Sequence, residues 1–434
     1  MLKKGSLLLL AMLLLLTGCS GQAALVRDSL AASVEKPNYE FQGSLKLIAD
    51  LEKLDKVDDT ISAEEKAEIF AVLRTLVAGV SMTGSQTDLN HAKLTLTAND
   101  DKVLRDKGMW TGDQKASVDL LVDTDKVYFK SPIDTKYLAV DGSGGMADPA
   151  IDPKALKDFQ EKLNKLTMDF MKKYIAKYGF TLSNVKNLGK ETVKLPNGTS
   201  VEATHISIQL DLKELVKIFF FTANDATTNA DVRSFAIDAV TLFSKFEQDT
   251  NKPEKPLTDA ELRAEATTTV DMGLAFLKGW LEEVQKELTV DKIVEMAKED
   301  GLLGVNMSFD YLVDANKLPV SQKVKATVTF KPVDEPTVKE PITMGFESDS
   351  LMWNYGKAPA IAYPKAEETV LMDQIFTDEK ALAGFNEKGF MHALLKSMKE
   401  EHEAEMKYWE ELESGDYTEE DTDTSTTPVA PVTK

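Results

Sequence analysis

One residue of this 434-residue chain carries a thiol, Cys19, and it closes an apolar run in MLKKGSLLLLAMLLLLTGCSG. A lone cysteine closes no intramolecular disulfide and has no second thiolate to share a metal, so its chemistry is that of a single nucleophile. Other reactive groups are dispersed. The four histidines, His91, His205, His392 and His402, are too scattered in sequence for a metal set. His402 opens HEAEM, which lacks the second histidine of a zinc-protease helix. There is no Gly-x-Ser-x-Gly elbow, no Ser-x-x-Lys with a matching Lys-Thr-Gly, and no phosphate loop. Carboxylate pairs abound in so acidic a chain and single out no glycosidase site. LDKVDDTISAEE fails as a calcium loop, because Leu54, Lys56 and Asp59 fall on the first and third ligand positions and the required glycine. Ser62 and Glu65 there read as a helix-capping box. The expectation is a non-catalytic protein with no catalytic residues, no metal and no cofactor. A hydrolase would need titratable groups gathered in a deep cleft.

The surroundings of Cys19 give its thiol a role. Lys3 and Lys4 form a positive start and Leu7 to Leu16 an unbroken apolar run of ten residues. A membrane-crossing helix needs about 20 such residues, so this run has the length of a signal-peptide core instead. It ends Leu16-Thr17-Gly18-Cys19, which resembles the lipobox of bacterial lipoproteins. The resemblance implies cleavage between Gly18 and Cys19, a diacylglycerol on the Cys19 sulfur, and an acyl chain such as palmitate on the new amino terminus. One chain alone binds a bilayer marginally, at about 0.8 kcal/mol per buried methylene, so two or three are needed for a lasting anchor. Residues 1–18 are then signal peptide and 19–22 a lipidated tether. The expected location is the extracytoplasmic face of the cell membrane, with the folded body close to the lipid surface.

Net charge excludes some partners. Residues 1–18 carry two lysines and no acids, so without them 49 basic residues face 72 acidic ones, a net charge of −23. Nucleic acid is not an expected partner, since phosphate binding needs clustered Lys and Arg. The same balance argues against a broad basic patch on an anionic leaflet. Residues 400–423 hold twelve acids and one base, Lys407. With almost nothing apolar to bury, residues 414–434 read as a disordered acidic tail that could serve a protein partner.

Periodicity orders the rest. AALVRDSLAASVEK predicts a helix, and after Pro37 the period changes to two, with Tyr39, Phe41 and Leu45 on one side of a strand. Strands are predicted at 80–86, 91–98, 104–110, 117–123, 126–130 and 136–140, an antiparallel meander. Helices are predicted near 62–79, from Pro153 to about Tyr178, across most of 211–300, and over 378–412. Asn197-Gly198 marks a hairpin, and strands return at VNMSFDYLVD, VKATVTF, ITMGFES and LMWNYG. The fold class is α+β, with helices gathered against one face of an antiparallel sheet.

The initial helix before Tyr39-Glu-Phe, the KGMWTG and VDLLVDTDKVYFKSP stretches, KYLAVD, and the 193–212 hairpin leading into a helix together resemble the LolA-like lipoprotein-carrier superfamily, in particular its uncharacterised Gram-positive lipoproteins. The resemblance spans about 24–365. It implies an unclosed half-barrel wrapped around helices over residues 23–365, with a helical insertion at 211–300 and a C-terminal helical segment at 366–413. It also implies an apolar cavity for a lipid or other hydrophobic ligand, lined by Tyr39, Phe41 and Leu45 or their counterparts on neighbouring strands. The alternative is an envelope interaction protein with the same sheet packed solid and no ligand cavity.

Overall fold

The computed structural model describes residues 24–54, 63–124, 126–141, 152–332, 340–378 and 380–414. Cys19, the 19–22 tether, the Ser62–Glu65 capping contact and the acidic tail beyond residue 414 lie outside what is described.

Helix α1 (Ala24–Glu35) ends before Pro37, and β1 (Tyr39–Ala49) follows. The short α2 (Leu51–Leu54) and α3 (Ala63–Ala78) precede β2 (Val80–Asp88) and β3 (His91–Ala98). α4 (Lys102–Asp106), β4 (Ser117–Asp123), β5 (Lys126–Lys130) and β6 (Tyr137–Asp141) complete the first meander. α5 (Pro153–Lys177) starts on a proline after the Asp152 carboxylate, which accepts from the Lys154 backbone N–H. A hairpin, β7 (Val185–Lys194) and β8 (Ser200–Asp211), turns at Gly198, whose φ of 85° suits glycine. Helices α6 (Leu212–Thr228), α7 (Ala230–Asn251), α8 (Asp259–Glu287) and α9 (Val290–Glu299) fill the predicted insertion. Each starts at a side-chain cap: Asp211, Asn229, Thr258 and Thr289. The chain returns through β9 (Leu302–Asp314), β10 (Pro319–Phe330), β11 (Ile342–Trp353), β12 (Thr369–Leu371), α10 (Met372–Thr377) and α11 (Phe390–Ser414).

Among the described residues eleven α-helices accompany one twelve-stranded, unclosed sheet, ordered β12-β6-β5-β4-β3-β2-β1-β11-β10-β9-β8-β7. Every pair is antiparallel except β12 with β6. The protein is therefore mixed α+β, as its periodicity requires.

Three expectations are corrected. Residues 104–110 are no strand: 102–106 form a helical turn, closed at Gly108 with φ 71°, that seats Leu104, Met109 and Trp110 in a core with Ala71, Ala98 and Ala116. Residues 342–353 form one strand where two were expected. The final long helix begins at Phe390 instead of 378, and β12 adds to the sheet beside β6.

The registers assign one face of the sheet. Phe41 lies opposite Met352 and Gly84, and Gly84 opposite Leu94; Leu47 lies opposite Phe346, and Phe346 opposite Ala326. Following the pairing outward, this apolar face reaches Leu120 and Phe129 on one side and Phe309 and Ile208 on the other. Helices cover its two ends. Val26 of α1, Tyr174 of α5 and Ile218 of α6 share a core with Ile206, Ile208, Leu210, Phe309 and Tyr311. At the other end Met391 and Leu395 of α11 and Ile375 of α10 bury Leu138, with Phe129 and Val140 beside them. α7 packs on α5 through aromatic rings, Phe235 on Phe170 at 4.3 Å and Phe246 on Phe159 at 4.5 Å, and α8 closes over α7 at Ile237, Ala266 and Val270.

The opposite face carries a polar ladder across the central strands: Lys46 opposite Glu347, Glu347 opposite Lys325, Asp349 opposite Lys323 and Lys323 opposite Asp310. Alternating signs across neighbouring strands favour this register over a slip of one residue.

At Gly43 the backbone of β11 leaves no room for a side chain: a Cβ there would lie 1.9 Å from the Asp349 carbonyl oxygen. Gly273 in α8 has nothing within 4 Å of a Cβ. Gly43→Ala is therefore expected to destabilise the fold by about 2 kcal/mol or more, whereas Gly273→Ala stabilises it by about 0.5–1 kcal/mol. Urea unfolding of the two variants checks both signs, and a neutral Gly43→Ala would contradict the close approach.

Candidate functional site

The face that is buried at both ends of the sheet is only half-buried in between. Phe41, Leu45 and Leu47 on β1, Met82 on β2, Leu94 and Leu96 on β3, Val118 and Leu120 on β4, Val324 and Ala326 on β10, and Met344 and Phe346 on β11 all retain solvent exposure. These side chains belong to adjacent strands in matched register, so they form one continuous apolar strip. Gly84 shapes it locally: a Cβ there would lie 2.2 Å from the Lys93 carbonyl oxygen and 2.6 Å from the Phe41 ring, so the ring sits against bare backbone of β2.

Phe41 and Leu45 thus stand where alternation placed them. Tyr39 is at the rim of the same face, 5.4 Å from the Tyr355 ring and 6.2 Å from Phe41, with its hydroxyl donating to the Gln86 side chain at 3.1 Å. Burial pushes the Tyr39 phenol above its ordinary range, so it serves as a neutral donor. The contributions of β3, β4, β10 and β11 were expected in sequence only as unnamed counterparts on neighbouring strands. Their signal was present in HAKLTLTA and VKATVTF, whose alternation marks one apolar side without telling whether a helix covers it.

Two other regions gather polar groups. A cleft of about 660 Å³ lies at the rim between the β7–β8 hairpin, the β9–β10 turn and the segment after β11. Its asparagines are committed to turns: Asn38 donates to the Thr87 carbonyl and accepts from Ala358 N–H, while Asn197 donates to the Asn354 side chain, which in turn donates to Glu40. That cleft is held together by its polar groups and leaves few of them facing a ligand.

The second region is His205 on β8. Its Nδ1 is 2.6 Å from Glu191 on β7 and its Nε2 is 3.1 Å from Asp310 on β9, with the side chain 17% exposed. The carboxylates sit on opposite edges of the imidazole, so the three groups do not converge on one ion. Among the described residues no group of three or more His, Cys, Asp or Glu is arranged to hold a metal. His91 has a similar surface setting, with Asp88 2.7 Å and Asp123 3.3 Å away. His392 and His402 both lie on α11 and are half-buried. Among the described helices none is long and apolar enough to cross a membrane.

Comparison with known proteins returns no match, whether to family models, curated proteins or solved structures.

Burial alone would lower the His205 pKa, but the hydrogen bonds and charges of Glu191 and Asp310 outweigh it and hold the imidazole above its ordinary value of 6.5. A raised pKa means the protonated form is bound more tightly in the folded state. This contribution is complete below pH 6.5 and fades as pH rises through the folded value. His205→Gln is expected to lower stability at pH 5.5 and to show a shallower decline than the parent between pH 6 and 8. Parallel unfolding curves of parent and variant at every pH would refute the assignment.

Proposed function

We propose that the chain is a membrane-anchored bacterial lipoprotein that binds a hydrophobic or lipid ligand without catalysing a reaction. In this reading the unclosed sheet is a half-barrel curled around its helices, in the manner of the LolA-like carriers. The half-exposed apolar strip is the wall on which the ligand lies. The single observation that carries it is that strip: a soluble domain normally covers a continuous apolar sheet face, and here helices seal its flanks, while α3, which lies over β1 and β3 in the middle, leaves Phe41, Leu96 and Phe346 only half-buried. Gly43 and Gly84, which have no side chain to separate neighbouring strands, support a tight curl at the middle of the sheet.

Magnitudes restrict the ligand. Burying about ten methylene groups contributes roughly 8 kcal/mol, which association costs of about 4–15 kcal/mol largely cancel. Long acyl chains, or two of them, suit an open wall better than small apolar molecules. The Cys19 anchor would place this wall near the source of such chains.

A second reading has its own observation. On α8, Met272, Phe276 and Trp280 fall at steps of four and are 63%, 77% and 44% exposed. Such a stripe supports an envelope protein that acts through contacts with another protein, independently of any ligand. The acidic tail remains a second candidate surface for that partner.

Native mass spectrometry with organic extraction, on the chain from Ser20 onward purified from a bacterial host, distinguishes the readings. A stoichiometric lipid is expected, and Leu96→Glu combined with Phe346→Glu is expected to reduce it at least tenfold while leaving the fold intact. A clean apo mass that does not change on incubation with host lipids would sink the ligand reading and favour the contact protein. For the anchor, Cys19→Ser is expected to abolish palmitate labelling and leave the precursor uncleaved; labelling at the parental level would refute the lipobox assignment.

A further inference from the structure

The net charge of −21 is not shared evenly among the helices. α5 carries seven lysines against three acids, a net +4, whereas α8 and α11, of comparable length, each carry seven acids against three bases, a net −4. The α5 lysines are solvent-facing. Lys154, Lys157, Lys162, Lys165, Lys172, Lys173 and Lys177 are all exposed, while Phe159, Met171, Tyr174 and Ile175 are buried beneath them. Lys165 is engaged by Asp169 on the same helix and Lys177 by Asp231 on α7, each at 2.6 Å.

The position of this helix matters as much as its charge. α1, the helix that begins five residues after Cys19, packs on the C-terminal half of α5, where Val26 meets Tyr174 and Tyr178 and Leu25, Leu30 and Phe170 close around them. Lys172 and Lys173 precede Tyr174 directly, so they sit on the flank of the turn that grips α1. A lipid on Cys19 would therefore be tethered next to the one long basic helix among the described residues of an acidic molecule.

From this charge and this placement we propose that the lysine face of α5 is a docking surface for the anionic headgroups of the membrane leaflet, which orients the anchored protein with α5 against the lipid and with α8 and α11 away from it. The proposal rests on the Cys19 anchor for its biological setting but not for its test. Lysines near an anionic surface add attraction one by one and lose it within a Debye length. An acidic body repelled by the same surface turns the basic helix toward it. The overall acidity of the chain conceals this, because a net charge averages over faces that point in different directions.

The test is co-sedimentation of the chain from Ser20 onward, which retains every described residue and lacks the lipid-bearing thiol. Vesicles of phosphatidylcholine alone are compared with vesicles containing about one-third phosphatidylglycerol, at low and high salt. Binding is expected only to the anionic vesicles and is expected to vanish at high salt. Replacing Lys154, Lys157, Lys162, Lys172 and Lys173 by glutamine keeps helix propensity and removes the charge; it is expected to weaken binding about 100-fold or more. Lys278→Gln with Lys286→Gln on α8 is expected to change nothing, and circular dichroism confirms that both variants fold. Equal sedimentation with neutral and anionic vesicles, or undiminished binding of the five-glutamine variant, would overturn the proposal. Palmitate labelling of Cys19 reports on the anchor separately, so a failure of one is not mistaken for a failure of the other.

Discussion

The pairing of β1 with β11 is the contact on which the rest of the sheet depends. It joins strands β1 to β6, with β12 at their edge, to the five strands β7 to β11, and without it the sheet would fall into two parts. The strands meet over ten residue pairs, from Glu40 opposite Trp353 to Ala49 opposite Met344. Ser44 donates to Asp349 at 2.8 Å across a separation of 305 positions. Closing a loop of that length costs entropy before the ladder repays it, so this seam is expected to form late in folding. Gly43 lies on it, and its missing side chain lets the two backbones approach.

Once that seam exists, the apolar face runs without interruption from one half of the chain to the other, and the problem becomes how to cover it. α1, α5 and α6 bury the β8–β9 end, and α10 and α11 bury the β5–β6 end. The segment after β11 covers part of the other face, where Tyr363 donates to the Val122 carbonyl at 2.7 Å and packs with Leu121, Tyr128 and Ala139. Burial and the nearby charges of Asp123 and Asp88 push the Tyr363 phenol up to about 12, so it stays a donor at any ordinary pH. Residues 369–395 are thus built into the sheet, since β12 pairs with β6 and α11 seals it.

Much of this was legible in sequence, for reasons that differ by element. β3, β4 and β5 were read to the residue because short alternating runs are bounded by polar turns. The 211–300 helices were legible as a block, and their caps at Asp211, Asn229, Thr258 and Thr289 mark where it breaks. LRDKGMW misled because Leu104, Met109 and Trp110 are all buried, yet they reach one core from a helical turn and a glycine-closed loop instead of from alternating strand positions. The division of β11 was misjudged because Asp349 and Ser350 look like turn residues, whereas here both are paired strand residues, Asp349 in the polar ladder opposite Ser44 and Ser350 on the other face opposite Gly43 and Gln322. For the site, alternation identified Phe41 and Leu45, but it cannot separate a floor residue such as Leu96 from a covered one such as Leu138. Both alternate in the same way; only the distant packing of α11 distinguishes them.

The sheet's edges show that its exposed apolar strip is not a general tolerance of exposure. β7, an open edge, carries Lys186, Lys190 and Lys194 and a register shift at Gly189, whose φ is 98°. Charge and a bulge at an edge discourage pairing with another chain. β12, the other edge, is three residues long and runs straight into α10. A molecule so guarded at both margins has every structural means to cover its central face as well. α3 lies against β1, yet it leaves Ile69 and Val72 exposed and Phe41, Leu96 and Phe346 half-bare. Filling that space would need only a larger side chain at Ala326 or a longer helix. The uncovered strip costs stability in a fold that protects itself elsewhere, and that asymmetry is the physical reason to place function there.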